Sequence, residues 1–340
     1  MVLLSEMRSS LADFKNATGF IAVIVGGTSG IGEAMVRALG KHANAAAVYV
    51  VGRNVEAADR ILNDCRDQCP SSRFEFLQQD IALLKGVDVV CAQIQTRECK
   101  VDLLFMTPDY LSFGGTEETT EGLDKALSLR YYARIRFIHN LLPLLQNSPY
   151  PRVISVFAPY YGEFNFYLND LSLRTHYGLL IATSHASIMT TLAHEVLAAR
   201  HPTISFVHVF PGAVWTPSVA AGRMSPLLRW FLTWVVRPLF WMFLQGYEEC
   251  GDRMLFLSLT AALPPRNSRV AGGWVGALGT SGLDESDVVG SDGEKGSGCY
   301  CVNSAAKRLA NGKRLNDLRA KGAGDVVWEH TMDIYRAIDS

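Results

Sequence analysis

The sequence has no surplus of charge of either sign. Its 340 residues include 32 lysines and arginines against 33 aspartates and glutamates, which gives a formal net charge of −1 at pH 7. Because a general polyanion binder carries a basic surplus, nucleic acid is excluded as an expected partner. Wholesale disorder is excluded as well, since 49% of the residues are hydrophobic and only 19% are charged.

Patterns for metal binding, disulfides and targeting are also missing. The seven cysteines are scattered, with no Cys-x-x-Cys pair and no histidine at zinc-ligand spacing. We therefore expect reduced thiols, no metal site and a cytoplasmic location. The first residues, Met1 to Phe14, contain Glu6 and Asp13 and only a short apolar run, so we expect neither a signal peptide nor a membrane anchor.

Apolar runs alternate with helix-like stretches from Phe20 to about Phe210. The predicted strands are Ile21–Val25, Ala47–Val51, Phe74–Phe76, Val101–Met106, Val153–Phe157 and Ile204–Phe210. The helices predicted between them are Glu33–Leu39, Val55–Asp67, Ala82–Ile94, Leu123–Leu145 and Leu179–Ala199. Strands separated by helices imply right-handed βαβ crossovers, which predicts an α/β fold with a doubly wound, Rossmann-like parallel sheet.

No linker divides the chain, so we expect a single domain with a C-terminal extension. We divide the chain into an N-terminal segment 1–18, a main domain 19–265 and an extension 266–340. Residues 279–298 of the extension are rich in Gly, Ser and Asp and predict an exposed loop. Two helices are expected after it, near Val302–Ala320 and Val326–Ile338.

A glycine-rich turn joins the first predicted strand to the first predicted helix, with the letters GGTSGIG at 26–32. Its glycines allow a tight turn, close approach of a pyrophosphate to the backbone, and close packing of helix on strand. The helix N-terminus supplies amide donors and a positive dipole, to which the hydroxyls of Thr28 and Ser29 can add. The candidate phosphate-binding residues are Gly26, Thr28, Ser29, Gly30, Ile31 and Gly32.

The second strand is followed by Gly52, Arg53 and Asn54. An acidic residue near this place selects the free ribose hydroxyls of NAD, whereas an arginine favours the extra phosphate of NADP. We therefore predict NADP as the cofactor, with Arg53 as the selecting cation and Asn54 beside it. Asp80 stands where the third strand ends and is a candidate either for contact with the adenine or for a helix N-cap.

These residues resemble the short-chain dehydrogenase/reductase family from about Ile21 to Leu259. The Gly26-x-x-x-Gly30-Ile31-Gly32 spacing, Leu-Leu-Pro-Leu at 141–144 and Pro-Gly-Ala-Val-Trp-Thr at 211–216 carry the resemblance. It implies that Gly212, Val214 and Thr216 hold the nicotinamide amide through backbone and hydroxyl. The segments 118–124 and 130–137 are similar to a fungal branch found with natural-product pathways.

The chemistry that this resemblance implies uses Asn, Ser, Tyr and Lys, and the sequence departs from it. The Asn position falls on Arg130, and the Ser position falls near Phe157 and Ala158. Tyr177 is the natural Tyr candidate, but Ile181 stands four residues on, and no lysine occurs between Lys125 and Lys295. The Tyr-x-x-x-Lys pair is therefore absent.

We expect Tyr177 to take the proton-transfer role, with Arg130 as a compensating cation that lowers its pKa. The alternative for Tyr177 is a packed aromatic at the helix start, and the alternative for Arg130 is a structural ion pair. His176 and His185 are further candidates nearby, along with Tyr160, Tyr161, Glu163 and Asp170, although core, cap or surface roles explain each of them singly.

A strongly hydrophobic segment, Pro226–Leu244, contains three tryptophans but is interrupted by Arg229, Arg237 and Pro238. We therefore expect no membrane span. Three interpretations stay open: a substrate lid over 217–246, a segment lying on a membrane surface, or the interface of a homo-oligomer. A lid rich in Trp and Phe would indicate a bulky apolar substrate, such as a polyketide or terpenoid.

The leading hypothesis is an NADP-dependent short-chain oxidoreductase acting on a carbonyl or alcohol of a bulky apolar secondary metabolite. One alternative is redox-neutral chemistry on the same fold, as a cyclase, isomerase or dehydratase. A second alternative is a non-catalytic protein that binds NADP or partners another enzyme.

Overall fold

The computed structural model describes residues 2–110, 115–159, 166–214, 230, 233–234, 245–267, 289–309 and 312–340. Within these residues seven parallel strands form one sheet in the order β3-β2-β1-β4-β5-β6-β7. The strands are β1 (Ile21–Val25), β2 (Ala47–Gly52), β3 (Arg73–Gln78), β4 (Leu103–Met106), β5 (Arg152–Val156), β6 (Ser205–Phe210) and β7 (Cys299–Asn303).

Helices cover both faces of the sheet. They are α1 (Leu4–Ala12), α2 (Gly30–His42), α3 (Val55–Gln68), α4 (Leu84–Gln95), α5 (Lys125–Leu127), α6 (Ala133–Gln146), α7 (Leu179–Arg200), α8 (Tyr247–Leu259), α9 (Lys313–Ala320) and α10 (Ala323–Asp339). A short 3₁₀ turn follows α1 at Asp13–Asn16, and a π-helical turn, Ser128–Tyr132, joins α5 to α6. None of the helices among the described residues has the length and apolar character needed to cross a bilayer.

Successive side chains of β1 face opposite layers, as the two-residue period of a strand requires. Val23 and Val25 pack in the layer of α4, α6 and α7, whereas Ala22 and Ile24 pack in the layer of α2, α3 and α8. All five residues of β1 are buried, which explains why its sequence is an unbroken apolar run. The predicted doubly wound α/β fold is confirmed.

All six predicted strands are present, and a seventh was missed. The helix predicted from Val302 is wrong at its start, because Cys299–Asn303 is β7, paired in parallel with β6, and α9 begins only at Lys313. A short apolar run at a sheet edge has the same local pattern as a buried helical turn, so periodicity could not separate the two. The segment 266–340 thus adds a strand to the main sheet.

The last helix, α10, packs against α7 and against the π-helical turn. The Tyr131 hydroxyl lies 2.6 Å from Oγ1 of Thr331, and the Tyr335 hydroxyl donates to the Tyr132 carbonyl at 2.7 Å. Asp339 accepts from the Arg136 guanidinium at 2.7 Å. The C-terminal helix therefore fixes the helical turn that carries Arg130.

The turn between β1 and α2 depends on two glycines. Gly26 has a φ of 83°, in the left-handed region, and its amide donates to the Val51 carbonyl at 2.9 Å. A methyl group at Gly32 would lie 2.2 Å from the carbonyl oxygen of Gly26. The first turn of α2 thus sits directly on the backbone of the preceding turn, an approach that only glycine allows.

We expect Gly32→Ala to lower the free energy of unfolding by about 1–3 kcal/mol, because the methyl must displace backbone. Urea unfolding followed by circular dichroism measures this. Gly246→Ala is the control, since a methyl there meets nothing within 4 Å, and its effect should stay below about 1 kcal/mol. Equal effects of the two variants would contradict the steric argument.

Candidate active site

The N-terminus of α2 opens onto the carboxyl edge of the sheet. Its cap residue Ser29 is extended and exposed, and its hydroxyl caps no amide of the helix. Thr28 is half-buried against Gly52. A Cβ added at Gly52 would lie 2.7 Å from Cγ2 of Thr28. Ile31 is partly buried and packs into the layer below, while Gly30 has a φ of 58°. The free amides of the first turn and the positive end of the helix dipole make this an anion-binding position.

Arg53, Asn54 and Asp80 follow β2 and β3 at the same edge. Arg53 is exposed, and its guanidinium makes no ion pair within the described parts of the chain. Asn54 is the N-cap of α3, since its Oδ1 accepts from the Ala57 amide at 2.9 Å. Asp80 accepts from the Ala82 amide at 3.0 Å, and because the N-cap of α4 is Leu83, Asp80 stabilises a turn and is not a helix cap.

The segment after β6 is partly described. Gly212 has a φ of 83°, and a Cβ added at this residue would lie 2.7 Å from Nε2 of Gln245. Val214 forms an isolated parallel bridge with Gln245. Thr216 lies outside the described residues, as do most of the predicted lid 217–246 and residues 279–288 of the predicted loop.

Arg130 lies on the π-helical turn, and its guanidinium group contacts three neighbouring residues. Its side chain is only 1% exposed, and its Nε lies 2.5 Å from Oδ1 of Asp109. Nη1 donates to Oγ1 of Thr183 at 3.2 Å, and Nη2 donates to the Tyr110 carbonyl at 2.9 Å. The ion pair that the sequence left as an alternative for Arg130 is therefore present, and it joins the loop after β4 to the first turns of α7.

A second buried arginine lies one turn further along. Arg134 donates to the Val156 carbonyl at 2.9 Å and to the Pro108 carbonyl at 2.7 Å, which ties the ends of β4 and β5 together. The guanidinium groups of Arg130 and Arg134 lie 5.6 and 5.5 Å from the ring centroid of Phe157. Burial lowers the pKa of Arg134 to about 10. The two guanidinium groups thus lie close together at this edge, where Asp109 pairs with Arg130.

Tyr177 stands just before α7, and its hydroxyl is buried without a hydrogen-bond partner among the described residues. Burial raises the pKa of this phenol, the nearby Asp124 raises it further, and Arg130 acts in the opposite direction. The expectation that Arg130 would bring the pKa of Tyr177 below its ordinary value is wrong, because desolvation outweighs the charge of a guanidinium already paired with Asp109.

The Ser position of the resemblance holds no hydroxyl. Ser155 points into the core, where Oγ lies 3.3 Å from Nε2 of the buried His194. Phe157 and Ala158 stand at the expected position, and the Ala158 carbonyl accepts from the Ser187 hydroxyl at 2.5 Å. No hydroxyl of β5 therefore reaches the edge.

The two histidine candidates have structural partners. The Nε2 atom of buried His185 accepts from the Tyr167 amide at 2.9 Å. Nδ1 of His176 lies 2.9 Å from Oδ2 of Asp170. The pKa of the Asp170 carboxyl is well below its usual range, because hydrogen bonds from hydroxyl, imidazole and amide donors outweigh its desolvation. Tyr160, Tyr161 and Glu163 lie outside the described residues.

Sequence reasoning missed a polar network beside Tyr177. The Tyr110 hydroxyl donates to Glu117 at 2.6 Å, and Nζ of Lys125 lies 2.8 Å from the same carboxylate and 4.6 Å from the Tyr110 ring centroid. The available signal was the position of Asp109 and Tyr110 directly after a buried strand, at the edge where parallel strands place ligand-binding groups.

The family model described as short chain dehydrogenase matches residues 20–161. The chain is 37% identical over 334 residues to Oxidoreductase AN1596 of Emericella nidulans, a match that covers 97% of each chain. It is 34% identical to Oxidoreductase andH of Emericella variicolor, covering 99% of this chain and 98% of that one. Short-chain dehydrogenase/reductase SAT2 of Stachybotrys chartarum is 29% identical, covering 98% and 96%.

Among solved structures, the L-sorbose reductase of Gluconobacter frateurii, complexed with NADPH and L-sorbose, superposes with a TM-score of 0.52 at 18% identity. That match covers 72% of this chain and 91% of the reductase. The RhlG/NADP complex of Pseudomonas aeruginosa gives 0.52 at 19% identity, covering 74% and 93%. These two likenesses concern the fold. The full-length similarity to curated relatives, together with the matching family model and the seven-stranded parallel sheet, makes the chain a member of the short-chain dehydrogenase/reductase family of oxidoreductases.

Proposed function

We propose that the protein is an NADP-dependent oxidoreductase that interconverts a carbonyl and an alcohol on a bulky apolar secondary metabolite. The observation that carries this proposal is the buried hydroxyl of Tyr177 at the carboxyl edge of the sheet, which has no hydrogen-bond partner among the described residues. A buried donor left unpaired costs about 1–3 kcal/mol, so its retention indicates that a bound molecule supplies the partner.

The residues present fit the cofactor. The contact between Gly32 and the Gly26 carbonyl leaves the first-turn amides of α2 open to a pyrophosphate. The guanidinium of Arg53, which forms no ion pair within the described ranges, suits the phosphate that distinguishes NADP from NAD. Gly212, Val214 and Thr216 are proposed to hold the nicotinamide end, as the family resemblance implies. When bound, the cofactor supplies or accepts the hydride.

The chain's own part is to hold the substrate oxygen and its proton. Tyr177 Oη donates a hydrogen bond to the carbonyl oxygen and then its proton to the alkoxide, or takes the proton in the opposite direction. Arg130 positions this end of the site, because its bonds to Asp109 and Thr183 fix the first turns of α7 directly after Tyr177.

A second candidate is a redox-neutral reaction on the same substrate class. It is favoured by the raised pKa of Tyr177 and by Ile181, a residue that carries no charge, at the position where the family places lysine. Membership of an oxidoreductase family speaks against the non-catalytic alternative. Absorbance at 340 nm separates the two reactions, since only hydride transfer changes it.

The proposed substrate class rests on the hydrophobic segment Pro226–Leu244. Trp230 and Trp234 are 56% and 69% exposed, a large aromatic surface beyond β6 that suits a lid over an apolar molecule. The membrane surface and the homo-oligomer remain the other uses of the same surface. All seven cysteines are free thiols, which supports the cytoplasmic location that we propose.

We expect Arg53→Ala to weaken NADPH binding by about tenfold to a hundredfold, because a charge-assisted contact to phosphate contributes about 1.5–3 kcal/mol. NADH affinity should not change. Isothermal titration calorimetry measures both, with Arg336→Ala on the remote α10 as the control. Unchanged NADPH affinity in Arg53→Ala would refute the assignment of NADP through this residue.

We expect Tyr177→Phe to slow NADPH-dependent reduction of bulky apolar ketones by about 10²–10⁴-fold, since it removes only the proton donor. The NADPH dissociation constant should stay within about twofold. Because reduction needs the protonated phenol and burial raises its pKa, the wild-type rate should hold up to about pH 9 and fall only above the ordinary value near 10.

Tyr300→Phe is the control, since Tyr300 lies on β7 and its hydroxyl donates to the Pro264 carbonyl. Full activity in Tyr177→Phe would eliminate this proton donor. Consumption of the substrate without a change at 340 nm would transfer the assignment to the redox-neutral reaction.

We expect the double change W230A and W234A to raise KM for a bulky apolar substrate at least tenfold while NADPH affinity stays constant, because two exposed indoles leave the lid. Steady-state kinetics, vesicle flotation and size-exclusion chromatography of the wild type and the double variant test this together. An unchanged KM, with loss of vesicle binding or of self-association, would reassign the surface.

A further inference from the structure

Asp109 has one engaged oxygen and one open one. Its Oδ1 accepts from Nε of Arg130 at 2.5 Å and from the Tyr110 amide at 2.7 Å. Within the described ranges Oδ2 has no hydrogen-bond partner. The carboxylate is 30% exposed, whereas the Arg130 side chain behind it is 1% exposed. Buried Arg130 therefore holds the Asp109 carboxylate in place, while Oδ2 of Asp109 stays available to a ligand.

The sheet topology places this carboxylate opposite Arg53. β1, which leads into the phosphate-binding turn, is paired with β2 on one side and β4 on the other. Thr107, between β4 and Asp109, donates its hydroxyl to the Val25 carbonyl at 3.2 Å and lies against Gly26. Arg53 thus follows the strand on one side of the turn, and Asp109 follows the strand on the other.

A dinucleotide with its pyrophosphate on the α2 N-terminus has its two nucleosides on opposite sides of that turn. With the adenosine phosphate at Arg53, the nicotinamide riboside falls at the ends of β4 and β5, where Asp109 stands. A carboxylate is the group that hydrogen-bonds ribose hydroxyls in such folds. The family resemblance implies a lysine, four residues after the tyrosine, that holds this ribose, but no lysine occurs between Lys125 and Lys295.

We propose that Asp109 binds a hydroxyl of the nicotinamide ribose through Oδ2, with Arg130 as the positioning residue that fixes the carboxylate. This inference rests on the proposed binding of NADP. The charge of Arg130 then serves to orient Asp109, which explains why Arg130 does not lower the pKa of Tyr177 below the ordinary value. The carboxylate does the ribose binding for which the family's lysine is absent.

The test compares two ligands that differ in the part Asp109 would bind. NADPH carries the nicotinamide ribose, whereas adenosine 2′,5′-bisphosphate carries the adenosine with its 2′- and 5′-phosphates and has no nicotinamide ribose. Calorimetry on the full chain should show NADPH binding about tenfold weaker or more in Asp109→Asn, with adenosine 2′,5′-bisphosphate within about twofold of wild type. Arg53→Ala should weaken both ligands.

Asp88→Asn is the matched control. Asp88 is also paired with an arginine of the same helical region, Arg136, at 2.7 Å, and its side chain is 33% exposed, but it lies on α4. It should leave both affinities unchanged. Asp109→Glu keeps the charge opposite Arg130 and moves the carboxylate by one methylene. This variant provides the test if Asp109→Asn does not fold. It should weaken NADPH alone.

Three outcomes overturn the inference. Equal NADPH affinity in the Asp109 variants removes the contact, and equal weakening of both ligands assigns Asp109 to structure only. A wild-type chain that binds neither ligand overturns the proposed function itself, and this inference with it. Selective loss of NADPH affinity supports it.

Discussion

Parallel pairing around β1 is the constraint from which the candidate site follows. β2 and β4 pair with β1 in the same direction, so the residues that follow all three strands meet at one edge. The glycine-rich turn, Arg53 and Asp109 are far apart in sequence, and this shared edge brings them together. The close contact of Gly32 with the Gly26 carbonyl then sets where the amide end of α2 stands within that edge.

Two buried guanidinium groups give this edge its rigidity. Arg134 is satisfied by backbone carbonyls of Pro108 and Val156, and Arg130 is satisfied by a carboxylate, a hydroxyl and a carbonyl. A buried cation that loses its partner costs several kcal/mol, so each of these groups holds its neighbours in one arrangement. Beside this arrangement the buried hydroxyl of Tyr177 has no hydrogen-bond partner among the described residues.

The first six strands and the glycine-rich turn could be predicted from the sequence because their signals are local. The apolar run Ile21–Val25 and the glycines after it each specify a conformation within a few residues. β7 could not be read, since Cys299–Asn303 becomes a strand only by pairing with β6. An ion pair of Arg130 could be predicted as an alternative, but its partners could not, because only the fold brings Asp109 and Thr183 close to it. The pKa of Tyr177 depends on burial, which no spacing reveals.

β7 also bears on how the chain reaches this structure during synthesis. β6 ends at Phe210, and its partner begins at Cys299, so a growing chain can form six strands well before the seventh exists. Until then β6 is an open sheet edge with buried residues such as Phe206 and Val207 and no neighbour on that side. Unpaired apolar edges are templates for pairing between chains, so the edge of β6 is open to such pairing until β7 emerges.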